Sequence, residues 1–210
     1  KWPLLREEFK LFPQPIPSLF NLIFNDSVFT AILGVRLLLC VFALGALEIN
    51  SNVIAVVLGL LLTTHILISV RWRGVFNGGS DYMILTLLTA LFLAQSFETE
   101  IIQKGCVWFI AIQSCSSYFI SGIVKLRKRN WRSGKALQAF LQTTIYLDTP
   151  WFKLILSSST LAILLSWLII VFEVAFPFSL IGTSATYVLL AVGFLFHMTN
   201  AYVFGLNRFF

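Results

Sequence analysis

Five ionisable side chains stand inside, or at the edge of, long apolar stretches, and these are the residues of the chain best placed to do chemistry. Arg36 lies about two turns into the first stretch and His65 about six residues before the end of the second. Asp81 opens the third after Gly78, Gly79 and Ser80. Lys125 closes the fourth, and His197 lies about three turns from the end of the last. A charge at the centre of a bilayer costs roughly 2.5–3.5 kcal/mol on insertion scales, so such a group faces a partner or a wet cavity. One polar pocket would satisfy all five, with Arg36, Asp81 and Lys125 neutralising one another and His65 and His197 flanking them. A lysine held out of water can present a neutral amine and act as a base. Two intramembrane imidazoles can instead ligate a haem or a pigment, although no CxxCH motif accompanies them. Each residue also has a plain structural use. Arg36 and Lys125 can snorkel to the interface, Asp81 can stabilise a helix N-terminus, and each histidine can bond a neighbouring helix. Glu173, about one turn before Pro177, is expected near the opposite face, paired with a hydroxyl or another span.

The elements that must position these groups are membrane helices. Of 210 residues, 58% are hydrophobic and 11% charged, against about 25% charged in soluble domains. Apolar segments at about 28–47, 52–70, 81–97, 104–124, 153–176 and 182–206 are each near the ~20 residues that cross a ~30 Å hydrocarbon core, the third being the shortest. Backbone groups in lipid must bond within the segment, and nothing alternates with a period of two, so the fold class is all-α with about six spans rather than a barrel. Between spans four and five, Leu137, Phe140, Leu141, Thr144 and Ile145 recur at helical spacing behind Arg132 and Lys135, which predicts a short amphipathic helix at the cytoplasmic surface. Residues 1–27 mix charge with Trp2 and Phe9 and carry Pro13, Pro15 and Pro17, which predicts an interfacial N-terminal segment. Both ends of the chain read as edges of a longer protein. Cys40, Cys106 and Cys115 have no metal or disulfide spacing and are expected as small apolar side chains, with no metal site.

Charge sets the orientation. Thirteen of the 15 Lys and Arg residues fall in the loops of one side, among them the run Lys125, Arg127, Lys128, Arg129, Arg132 and Lys135. Lys104 is on the other side and Arg36 lies within a span. This places both ends of the segment in the cytoplasm. The net charge of +6 is a topology signal, not a nucleic-acid footprint. The expected partners are the lipid bilayer and other membrane subunits.

R-W-R-G-V-F-N-G-G-S-D-Y at 71–82, S-Y-F-I-S-G-I-V-K-L at 117–126, W-R-S-G-K-A-L at 131–137, F-H at 196–197 and the closing G-L-N-R-F-F resemble the HTTM family, the multi-span domain related to the vitamin K-dependent γ-carboxylase. The resemblance runs from about residue 25 to the end and implies an HTTM-like transmembrane domain over 28–210, in members that continue further. Its relatives imply a bacterial inner membrane, and some resemble membrane proteins that mature or export antimicrobial peptides. It implies that Lys125 occupies the position of the base that deprotonates vitamin K hydroquinone, with Trp131 in the following WxxG block beside the substrate. The interval from Lys125 to Trp131 is one residue longer than in the carboxylase. Arg127, Lys128 and Arg129 replace its acidic residues, and its large lumenal domain has no counterpart here. Carboxylation of protein glutamate therefore does not carry over.

Three functions stay open on the residues. The chain is an accessory, non-catalytic subunit of a membrane assembly; or a quinone-dependent enzyme with Lys125 as base and Arg36, His65, Asp81, His197 and Trp131 around a quinone; or a haem- or pigment-binding subunit through His65 and His197. A transporter ranks below these, because no inverted repeat or matched pair of broken spans is present.

Overall fold

A computed structural model describes residues 21–45, 51–71, 79–97, 99–142, 154–155 and 157–204. Among them the regular structure is helical: α1 (Asp26–Gly45), α2 (Ser51–Arg71), α3 (Ser80–Ser96), α4 (Glu100–Arg127), α5 (Arg129–Arg132), α6 (Lys135–Gln142), α7 (Ser159–Ala175), a 3-10 turn (Phe176–Leu180) and α8 (Thr183–Phe204). Five of these stretches are long and apolar enough to cross a membrane, and α3, of 17 residues, is the short sixth. The chain is an all-α integral membrane protein, as its composition requires. The proline-rich start, Arg73, Thr144, Ile145, Lys153 and the closing G-L-N-R-F-F lie outside the described residues.

The chain divides into two compact units, residues 1–110 and 111–210. The first is built on α1, α2 and α3, with Val57, Leu61 and Leu88 at its centre and Leu39, Ala43, Leu58, Leu62 and Ile84 packed around them. Arg71, at the end of α2, fastens the start of α1. It donates to the carbonyls of Ile23 (3.0 Å) and Asn25 (3.2 Å), pairs with Asp26 and stands 4.1 Å from the Phe29 ring centroid.

The second unit is organised around α7. Ala162, Ser166, Ile170 and Glu173 recur at intervals of four, four and three and are all deeply buried, so they form one helical face. The end of α4, then α5 and α6, cover that face. Two glycines permit the close approach. A Cβ on Gly122 would lie 2.8 Å from the Val174 nitrogen, and one on Gly134 would lie 2.7 Å from the Ala162 carbonyl carbon. Small residues at helix contacts are how apolar helices come close in a medium that offers no hydrophobic drive between them. Gly134 also has φ +72°, the left-handed conformation that ends α5 and starts α6. Ser158 caps α7 by accepting from the Leu161 N–H at 3.2 Å. Ser158→Ala is expected to cost about 1 kcal/mol, read as a lower midpoint of unfolding in detergent.

The amphipathic segment forms α6, and its apolar side meets protein. Leu137 and Leu141 are buried against Ile155, Leu165, Ile169 and Val203, so they pack on protein. Phe140 leaves that set, remains half exposed and lies 5.8 Å from the Trp131 ring, centroid to centroid.

Candidate functional site

Tyr118, Ser121, Gly122 and Lys125 recur along α4 at intervals of three, one and three, which puts them on one face. That face meets Phe172, Glu173 and Val174 of α7. The Lys125 Nζ donates to both carboxylate oxygens of Glu173, at 2.6 and 2.7 Å, and to the Ser121 hydroxyl at 2.6 Å. Ser121 in turn donates to Glu173 Oε1 at 3.2 Å. The result is a closed triangle of ammonium, carboxylate and hydroxyl. Its side chains are nearly out of reach of solvent, 16% exposed for Lys125 and 5% for Glu173. The Lys125 Nζ also lies 5.2 Å from the Trp131 ring centroid, within cation–π range.

Lys125 does not close its helix. The helix runs on to Arg127, breaks at the extended Lys128 and resumes for one turn in α5 before the chain turns at Gly134. Its partner Glu173 stands 14 residues from the start and seven from the end of the apolar stretch Ser159–Leu180. At about 1.5 Å per residue that is about 21 Å and about 10 Å. The pair is therefore inside a span. The expectation that Glu173 lies near the face opposite Lys125 is corrected: the two are bonded to each other.

One turn before Ser121, Tyr118 bonds the Nε2 of His197 on α8 through its hydroxyl. The two sit in an aromatic cluster. The Tyr118 ring lies 4.1 Å from Phe176 and 5.5 Å from Phe172, and Phe196 lies 5.5 Å from Phe172. The buried Cys115 lies below these rings, with its Sγ 3.7 Å from the Ser179 hydroxyl. All three cysteines are free. Beside Cys115 an open, mostly apolar groove of about 150 Å³ is lined by Ile112, Cys115, Ser116, Phe119, Pro177 and Leu180.

The other predicted residues belong to the first unit. Arg36 donates through Nη1 to the Leu61 carbonyl (3.0 Å) and the Thr64 hydroxyl (3.2 Å). His65 is buried, with its Nε2 3.1 Å from the Asp81 carbonyl oxygen. The carboxylate that neutralises Lys125 is thus Glu173, whereas Asp81 meets His65 through its backbone. Both histidines have Nε2 committed to a protein partner, so ligating a haem through that nitrogen would first require breaking those bonds. Among the described residues no group of three or more His, Cys, Asp or Glu is placed to hold a metal.

Ser121, Tyr118 and Glu173 were absent from the predicted set, and each had a signal. Ser121 precedes Lys125 by four residues and Tyr118 by seven, both on its helical face. Glu173 is the one charged residue in a stretch of mean hydropathy 2.3, so it demands a cation.

No curated protein and no solved structure matches the chain. The HTTM domain profile matches residues 89–210. It therefore begins later than the resemblance suggested, and it covers more than half of the chain and every residue of the Lys125 site. On that match the chain belongs to the HTTM family.

Proposed function

We propose that this HTTM chain carries an intramembrane proton-transfer site for a lipid-soluble hydroquinone, centred on Lys125 and Glu173. The observation that carries this reading is the buried ammonium–carboxylate pair within a span. Such a pair is expensive to desolvate, and a hydrophobic pair of similar volume is often at least as stable. Ionisable residues inside spans mark substrate and proton paths by default. The resemblance to the γ-carboxylase supplies the substrate class. The surroundings fit that class: the Trp131 ring beside Nζ offers a plate for a quinone ring, and the apolar groove along α4 offers a bed for part of an isoprenoid tail.

The step is a simple one. The hydroquinone O–H bond breaks, its proton passes to the pair, and the oxyanion stays beside the positive charge. Placing the reaction in a water-poor site makes that charge pairing worth more than it is in water. The charge asymmetry of the loops supports an inner-membrane setting with both ends of the segment in the cytoplasm.

The test uses the protein in vesicles with a menaquinol-type hydroquinone and oxygen, following quinol consumption. Lys125→Met is expected to lower the rate by about 100-fold or more, the order that one group stabilising a developing oxyanion is worth. A rate equal to wild type would dispose of the reading. A wild type inert toward every hydroquinone tried, but purifying stoichiometrically with other membrane proteins, would favour the non-catalytic subunit instead.

A further inference from the structure

We infer that Glu173 is the group that takes the proton, and that Lys125 stays a fixed ammonium which pairs with the resulting oxyanion. This assignment rests on the proton-transfer reading above.

The argument is a count of hydrogen-bonding capacity. An ammonium has three N–H donors and no lone pair. All three of Lys125's are used, two on Glu173 and one on Ser121. To act as a base it would first have to lose a proton, and the anionic acceptor bonded to it for that proton is Glu173 itself. A carboxylate has about four acceptor positions on its two oxygens. Among the described residues Glu173 fills two with Nζ and one with the Ser121 hydroxyl, which leaves one for an incoming O–H.

The charge balance points the same way. When a neutral hydroquinone gives its proton to Glu173, the carboxylate charge disappears and an oxyanion charge appears beside the same ammonium. One ion pair replaces another, and the site never carries an unpaired charge. If a neutral Lys125 took the proton instead, Glu173 would have to be neutral beforehand to avoid two anions sharing one cation. Ser121 has the geometry to follow the change, because its hydroxyl accepts from Lys125 and donates to Glu173. It can turn its donor toward the oxyanion once the carboxylate is neutral. Lys125 is the more exposed of the pair, so the positive end is the one the substrate oxygen meets.

The two assignments predict opposite results for two variants. Lys125→Arg keeps a permanent cation that cannot serve as a base. Glu173→Gln keeps the shape and removes the acceptor. The full chain in lipid nanodiscs is mixed with a lipophilic nitrophenol, whose phenolate absorbs in the visible. Infrared difference spectra report the C=O stretch of a neutral carboxylic acid in the same sample. Wild type and Lys125→Arg are expected to ionise the phenol and to show the carboxylic acid band. Glu173→Gln is expected to lose both, and Glu173→Asp to regain them in part. The size-exclusion profile of each variant shows whether any loss is one of folding, and Lys125→Met/Glu173→Gln, which removes both charges, is expected to fold and to ionise no phenol.

Phenol ionisation in Glu173→Gln equal to wild type would overturn the assignment, as would its absence in Lys125→Arg. Absence in wild type would overturn it too. If wild type ionises the phenol through Glu173 yet consumes no hydroquinone, the assignment stands and the proposed substrate class falls.

Discussion

Lys125→Met with Glu173 left in place is expected to destabilise the protein by about 3–5 kcal/mol, the cost of leaving a buried charge without its partner. Nothing else described can take over. The carboxylate is 5% exposed, and its remaining hydrogen bond is to Ser121. Glu173→Gln is expected to be similarly harmful, since it strands the ammonium, although the partial exposure of Lys125 and the Trp131 face soften the effect. The double variant Lys125→Met/Glu173→Gln is expected to recover most of the loss, because it removes both charges and both desolvation costs. Unfolding midpoints in a graded detergent series check this. Single and double variants that lose equal stability would mean that the two residues are not energetically coupled, and the ion pair would lose its place at the centre of the site. Stability and turnover separate cleanly here: the double variant is expected to be folded and inactive.

Gly134→Val is expected to lose about 2–5 kcal/mol. Two costs add. A side chain in the left-handed region costs roughly 1–2 kcal/mol, and Gly134 sits at φ +72°. Its new Cβ would then stand 2.7 Å from both the Ala162 carbonyl carbon and the Ile163 nitrogen. These are backbone atoms of α7 that cannot step aside, and overpacking of this kind costs about 1–3 kcal/mol. The only relief is for α5 and α6 to move off α7, which would carry Trp131 away from Lys125. Activity is therefore expected to fall even in the fraction that folds. Gly182→Ala is the control. Nothing lies within 4 Å of a Cβ there, so it is expected to leave the unfolding midpoint unchanged within about 0.5 kcal/mol. Equal damage from the two substitutions would mean that the Gly134 contact is not what holds α5 and α6 on α7.

The membrane class, the helical spans and the short third helix follow from the amino-acid sequence alone, because hydrocarbon thickness fixes how long an apolar run must be and lipid leaves the backbone no partner but itself. The motif around Lys125 and Trp131 was likewise legible, since both residues belong to one local stretch, and the structure places the Trp131 ring beside the ammonium. The lysine's partner was not. Lys125 sits where apolar sequence turns basic, which reads as a membrane rim, and Glu173 sits beside Pro177, which reads as the far end of another span. What makes them neighbours is the antiparallel run of α4 along α7, where Gly122 meets Val174, continued at the turn between α5 and α6, where Gly134 meets Ala162. Hydropathy measures how apolar a segment is, without regard to which residue of the facing helix it meets. The sequence alone determined that a lysine and a glutamate would each need a partner in the membrane; only tertiary packing, through contacts of glycine with backbone, decided that each is the other's.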